Sequence, residues 1–322
     1  MVNKELLELL NQAVARELQV SVQYMLQHTK MEKILRKIKA ENILLDKTTY
    51  DVIGEELKKF AIEEMKHAGT IMERIYYLGG SATTKSAKPI IGDTLKDFAT
   101  HGHKAEVEAL ELYRKIIDFS MKSGDWETVQ IFEKIYSDEE RHFFKFEEFL
   151  DLDITEPKGP ESFPSESRKI YDDAYFTLLN KAVAAEISAI IQYTNQHEKA
   201  SLLALRKKVT PLETITESTK ANTISDLLKT IFLQEMKHLE KISERIYLLE
   251  GECTYNPDPL PQVGETADDF LKLDHKAEDE AIILYRKIIA EALKRGDTAT
   301  RKIFEDIIIE EEAHYWMFDD FF

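Results

Sequence analysis

The chain has 322 residues, 43% of them hydrophobic and 32% charged, a balance that suits two globular domains with separate cores. A formal net charge of −17 argues against nucleic acid and anionic membranes as partners, and no apolar run approaches the ~18 residues of a membrane span. A single cysteine, Cys253, excludes an internal disulfide and a four-thiolate iron site; residues 1–10, with Lys4, Glu5 and Glu8, do not read as a secretory signal, so the cytoplasm is the expected compartment.

Glycine and proline are scarce and gathered in a few places, which predicts long uninterrupted helices between them. The first predicted helix, A, places Leu6, Leu10, Val14, Glu17, Ser21 and Tyr24 on one stripe. A polar stretch around residues 37–50 follows, with no assignable periodicity. Helix B carries Glu64-Met65-Lys66-His67 and ends before Gly79-Gly80, which opens a loop running to Gly92. Helix C aligns Glu106, Leu110, Tyr113 and Ile117; a turn at Gly124-Asp125 leads into helix D, with Phe132, Ile135, Glu139, His142 and Phe146. Residues 153–167 contain Pro157, Gly159, Pro160 and Pro164, a linker composition.

Beyond the linker the same order returns. His103-Lys-Ala-Glu106 recurs as His275-Lys-Ala-Glu278, and Tyr113-Arg-Lys-Ile-Ile117 as Tyr285-Arg-Lys-Ile-Ile289, both offset by 172 residues. Glu73-Arg-Ile-Tyr76 recurs as Glu244-Arg-Ile-Tyr247 at 171, and Gln23-Tyr24 as Gln192-Tyr193 at 169. Leu179, Val183, Glu186, Ile190 and Tyr193 repeat the stripe of helix A; residues 209–225 again form an unassigned polar stretch. A glycine-bounded loop from Gly251 to Gly264 and a Gly296-Asp297 turn complete the match. The expected architecture is all-α: two tandem four-helix bundles at residues 1–152 and 170–322, joined by a linker at 153–169.

In every predicted core stripe a glutamate sits among apolar side chains. Burying an unpaired carboxylate costs several kcal/mol, and no lysine or arginine shares those stripes at the same level, so another cation has to compensate. Helices B and D each add Glu-x-x-His, which puts both side chains on one helix face: Glu64 and His67, Glu139 and His142, Glu235 and His238, Glu311 and His314. One such motif is weak, but four at matching places, with lone glutamates Glu17, Glu106, Glu186 and Glu278 on helices A and C, form the ligand set of di-iron and di-manganese carboxylate bundles. Four carboxylates balance two divalent cations, and oxygen plus imidazole suits Fe(II) or Mn(II).

These residues resemble the ferritin-like superfamily, and within it the bacterioferritin branch, over nearly all of both halves. The resemblance implies two iron ions per bundle, four per chain, with manganese as the alternative. It assigns Glu17, Glu64, His67, Glu106, Glu139 and His142 as ligands in the first copy and Glu186, Glu235, His238, Glu278, Glu311 and His314 in the second, with Glu64, Glu139, Glu235 and Glu311 spanning the metal pairs. Tyr24 and Tyr193 match a tyrosine beside the family's site that donates an electron during oxygen reduction; the alternative is a core aromatic. Met65 and Met236 match the methionines that hold haem b between two subunits, which would place one haem between the two copies; the alternative is packing. The implied activity is Fe(II) oxidation by oxygen or peroxide, in a monomer or a homo-oligomer, with oxidation of an organic substrate or non-catalytic iron storage as alternatives. Lys59 and Glu63, and Thr230 and Gln234, replace the family's inner-surface iron residues. Lys145 and Met317 replace a tryptophan, and no fifth short helix follows helix D, so a hollow mineral-storing cage is not expected. His103 and His275, one turn before Glu106 and Glu278, are expected to be ordinary polar residues.

Overall fold

The computed structural model describes residues 3–35, 43–152, 171–206 and 213–321. These hold eight α-helices: α1 (Lys4–Leu35), α2 (Ile43–Tyr77), α3 (Leu95–Ser123), α4 (Trp126–Asp151), α5 (Asp173–Arg206), α6 (Glu213–Leu248), α7 (Ala267–Arg295) and α8 (Thr298–Asp319). The chain divides into two compact units, Met1–Pro160 and Glu161–Phe322. The linker expected at 153–169 lies outside the described residues. In the first unit α1 packs along α2 and α3 along α4, while α1–α3 and α2–α4 contacts close the bundle; α5 to α8 repeat the arrangement in the second.

The stripes read from the sequence form the cores, with one shift. Leu6, Leu10, Val14, Glu17, Ser21 and Tyr24 are all buried, as are Phe132, Ile135, Glu139, His142 and Phe146. On α3 the buried line is Glu106, Ala109, Tyr113 and Ile116, and Leu110 and Ile117 are half-buried. The helical repeat drifts away from a four-residue step, so Ala109 and Ile116 take the inner positions. Of the polar stretches left unassigned at 37–50 and 209–225, the described parts are helical, since α2 starts at Ile43 and α6 at Glu213, and residues 37–42 and 209–212 lie outside the described residues. Their polar, threonine-bearing composition hides the apolar period that marks the rest of helix B. Helix α5 is long and apolar enough to suit a membrane span by composition alone, and more than half of that stretch is buried in the bundle core.

The connection from α2 to α3 runs along α1 as a strap, so α3 starts at the end of the bundle where α1 finishes. Side chains of α1 serve its backbone in sequence. Thr83 N donates to Asn11 Oδ1 (2.7 Å), Ile90 N to Gln23 Oε1 (2.9 Å), and Gln27 Nε2 to Ile91 O (2.9 Å). Lys30 Nζ then donates to Gly92 O (2.9 Å). The second unit repeats this ladder with Asn180, Gln192, Gln196 and Lys199. A loop without secondary structure must satisfy its backbone polar groups elsewhere, and α1 and α5 provide the partners. The strap ends in a capping box, Thr94 with Asp97 and Thr266 with Asp269. Gly124 and Gly296 close α3 and α7 in the left-handed region, φ 73° and 74°, where a side chain would be strained.

The recurring Glu-Arg-Ile-Tyr segment ties helix B to the start of helix D. Arg245 Nε donates to Thr300 Oγ1 (2.9 Å) and Nη2 to Asp297 Oδ1 (2.8 Å); Asp297 caps α8 and accepts from Tyr175 Oη (3.1 Å). Arg74, Thr128 and Asp125 form the same clamp in the first unit. The Asp297 side chain is 2% exposed and that of Asp125 15%, so the second clamp has the drier aspartate. Arg245→Met strands a buried carboxylate and should cost about 3 kcal/mol. Arg74→Met should cost less. Denaturant unfolding of both variants in chelator checks this; equal losses would show that burial of the aspartate does not set the cost.

Candidate metal centre

Each bundle brings its four core glutamates and two histidines together at mid-height. In the first unit, ligand-type atoms of Glu17, Glu64, His67 and Glu139 lie within 4.8 Å of one another, and so do those of Glu64, Glu106, Glu139 and His142. In the second, the two groups are Glu186, Glu235, His238, Glu311 and Glu235, Glu278, Glu311, His314. All twelve residues are buried. Glu64 and Glu139 belong to both groups of their unit, as do Glu235 and Glu311, while each of the other residues belongs to one. Each core therefore holds two neighbouring groups of ligand-type atoms, each of which could hold a cation, that share a pair of carboxylates.

The histidines turn Nδ1 inward. His67 Nδ1 lies 3.1 Å from Glu64 and 3.0 Å from Glu139; His142 Nδ1 lies 2.9 Å from Glu64. His238 Nδ1 lies 3.0 Å from both Glu235 and Glu311, and His314 Nδ1 3.1 Å from Glu235. The outward Nε2 atoms meet the residue just before a shared glutamate on the facing helix. His142 Nε2 is 2.8 Å from Glu63 and His67 Nε2 3.4 Å from Asp138. In the second unit His238 Nε2 is 3.2 Å from Glu310 and His314 Nε2 3.1 Å from Gln234 Oε1. Such partners fix ring orientation and raise the basicity of the inner nitrogen. Three are carboxylates and the fourth, Gln234, is a neutral amide.

Two tyrosines per unit rise beside the lone glutamates. Tyr24 Oη donates to Glu106 and Tyr193 Oη to Glu278 (2.7 Å). Tyr285 Oη donates to Glu186, whereas its counterpart Tyr113 makes no hydrogen bond through its buried hydroxyl. Tyr113 and Tyr285 were not singled out as site residues from the sequence. The available signal was their seven-residue spacing from Glu106 and Glu278, two helical turns on one face. The other expected residues lie as follows. Met65 and Met236 are buried next to the shared glutamates of α2 and α6. His103 and His275 are half-buried and face Glu147 and Asp319, away from both clusters.

Electrostatics divide the carboxylates in two classes. Burial raises Glu17 and Glu106 well above the usual carboxylate range, and the charges on Glu139 and Glu64 add to it. Glu186 and Glu278 are raised by burial in the same way, with Glu235 and Glu311 as their like-charged neighbours. Burial also opposes ionisation of the shared Glu64, Glu139, Glu235 and Glu311, but bonds and charges from the histidines outweigh it and hold them low. Burial likewise disfavours charge on the histidines, yet the surrounding carboxylates push His142 and His238 up to about 12 and His314 to about 9. His67 is raised well above its ordinary value. Without metal each centre thus favours the ionised form of its shared carboxylates and the protonated form of its histidines and lone glutamates.

The ferritin-like domain family matches this chain twice, over residues 7–154 and 176–322. A bacterioferritin of Desulfovibrio desulfuricans is 31% identical over 44% of this chain and 71% of its own length. One of Rhodobacter capsulatus is 30% identical over 44% of this chain and 79% of its own. A solved Rhodobacter capsulatus bacterioferritin, described as having a metal-free dinuclear site and haem iron, covers 47% of this chain and 86% of its own at 27% identity, with a TM-score of 0.40.

The charge balance sets a pH dependence. A group whose folded pKa is raised adds stability below its unfolded pKa and loses it as pH climbs through the folded one. The lone glutamates and the histidines are all raised, so the metal-free protein should lose stability from mildly acidic to alkaline pH. Glu106→Gln imitates the protonated acid, since its amide oxygen still accepts from Tyr24 and its amide nitrogen donates toward Glu139. In chelator at pH 8, Glu106→Gln and Glu278→Gln should melt at or above wild type, with weaker metal binding. Clearly lower melting would mean that these carboxylates are ionised and structural in the metal-free fold.

Proposed function

Since the chain belongs to the ferritin-like family through both of its units, we propose that each unit is a di-iron centre that takes up Fe(II) and oxidises it with oxygen or peroxide. The observation that carries this is the pair of overlapping ligand groups in each core, joined through two shared glutamates. The donors fit the metal by chemistry: oxygen and imidazole without thiolate, and buried carboxylate oxygens that lack hydrogen-bond partners, among them Glu17 Oε2 and Glu106 Oε2. Two Fe(II) ions held side by side can each give one electron to an oxidant. Glu64 with Glu139, and Glu235 with Glu311, would span the pair. Glu17 and His67 would serve one position and Glu106 and His142 the other, with Glu186, His238, Glu278 and His314 acting likewise.

The protein's own part is to dispose of charge. Each imidazolium must give up its inner proton before it can ligate, and each lone glutamate its acid proton. The outer partners Glu63, Asp138, Glu310 and Gln234 hold the rings in place while that happens. Tyr24 and Tyr193 stay protonated at neutral pH, because burial raises them well above the usual phenol range and the charges of Glu106 and Glu278 add to it. Each keeps its proton aimed at a carboxylate, so an electron leaving the ring can be accompanied by transfer of that proton to Glu106 or Glu278. This is the role proposed for them as redox helpers.

Anaerobic titration with Fe(II) should saturate at about four irons per chain. A pH-stat should record release of up to about four protons per unit, two from histidine and two from glutamate. Saturation near two irons would make one unit a scaffold, and no saturable uptake would remove the proposed function. Haem b is proposed at Met65 and Met236, following the bacterioferritin resemblance. Protein expressed with added haem should show the visible spectrum of bis-thioether ligation, and Met65→Leu should abolish it. A protein that takes up no haem would leave both methionines as packing residues.

A further inference from the structure

The two centres differ in what lies outside them on the face between helices A and C. In the second unit a cavity of about 300 Å³ opens between α5 and α7 and reaches all four glutamates of the centre, Glu186, Glu235, Glu278 and Glu311, and both tyrosines, Tyr193 and Tyr285. Its walls are chiefly apolar: Ala185, Ala189, Ala277, Ala281, Leu284 and Pro259. Polar groups stand at the mouth, where Lys181, Asp258 and Glu280 are exposed. The volume falls at the lower edge of small-molecule pockets, which run from about 300 to 1,000 Å³. The inner end of the cavity is the carboxylate centre itself, and the alanine-lined part outside that centre is the space open to an organic molecule.

In the first unit the residue before the lone glutamate is Arg16 where the second has Ala185, and Val20 stands where the second has Ala189. Arg16 is 8% exposed and points across the bundle face, with Nη1 3.9 Å from Glu108, the counterpart of Glu280 at the mouth of the cavity. Its Nε and Nη2 are buried without hydrogen-bond partners, a costly placement for a guanidinium. Arg16 thus places a long buried side chain at the position where the second unit has the alanine that lines its cavity.

We propose that the cavity of the second unit is a binding site for a compact, mainly apolar organic molecule bearing one polar group, and that Arg16 closes the equivalent site in the first unit. The polar group would point either at the inner carboxylates, or at Lys181 and its neighbours at the rim. The site would make the second centre the one that meets an organic reductant or substrate, and the first a centre restricted to metal and small oxidants. The cavity lies between α5, α7 and the strap at Asp258 and Pro259, with the carboxylates of the proposed di-iron centre at its floor, so the proposal rests on that centre.

The test uses the full-length chain supplied with Zn(II) and 4-fluorophenol as the probe, followed by fluorine NMR. Wild type should bind one probe per chain saturably. Ala185→Arg, a residue the first unit already accommodates at this position, should weaken binding at least tenfold. Arg16→Ala with Val20→Ala should create a second site, giving two probes per chain. No saturable binding to wild type, or undiminished binding to Ala185→Arg, would overturn the proposal; failure of the double variant to gain a site would overturn the role given to Arg16. Anaerobic iron titration of the same samples separates this outcome from a failure of the di-iron proposal. Four irons per chain with no probe bound would sink only the cavity.

Discussion

Four carboxylates buried at one level of a helical bundle cannot all be charged and alone, and most of the architecture of each unit answers that constraint. Two histidines stand within about 3 Å of the shared glutamates. Tyrosine hydroxyls are spent on three of the four lone glutamates, and further acidic or amide groups hold the histidines from outside. Protons relieve the repulsion in the metal-free core, and cations held by the same side chains would relieve it in their place.

The scaffold suits a site of this kind. Long helices put Glu-x-x-His on inward faces, and the strap along α1 or α5 carries the chain back to the end of the bundle from which helix C packs against helix A. The arginine clamps fix where helix D begins, and with it the height of Glu139 and Glu311. Around this frame the copies have diverged. Gly102, whose missing side chain leaves room for the ring of Phe146, is replaced by Asp274, a buried acid that accepts from Gln192 (2.8 Å) and is raised well above its usual range by burial. Glu63 becomes Gln234, and Arg16 becomes Ala185.

The ligands could be read from the sequence because their relation is local: Glu and His three apart, a lone glutamate on an apolar stripe, and the same order twice. The helical fold followed from the same periodicity. Contacts between helices were harder to see. No spacing along α2 or α4 says that Glu63 will meet His142 or that Asp138 will meet His67, since those pairings depend on the relative height of helices joined by a seventeen-residue connection and a turn. Arg16 looked like one more charged residue beside a glutamate; its burial depends on what α3 presents opposite. Tyr113 and Tyr285 lay between these extremes, on the right face at the right spacing but indistinguishable from core aromatics until their hydroxyls were placed.

Gln234 shows what joining two copies in one chain permits. In an assembly of identical subunits a substitution beside one centre is made beside every centre, and symmetry forbids a division of labour. Here an amide stands behind His314 where a carboxylate stands behind His142. Each bundle can therefore differ from the other within one chain. For the experimenter, the unaltered bundle is an internal reference for every change made in the other, in the same tube and at the same concentration.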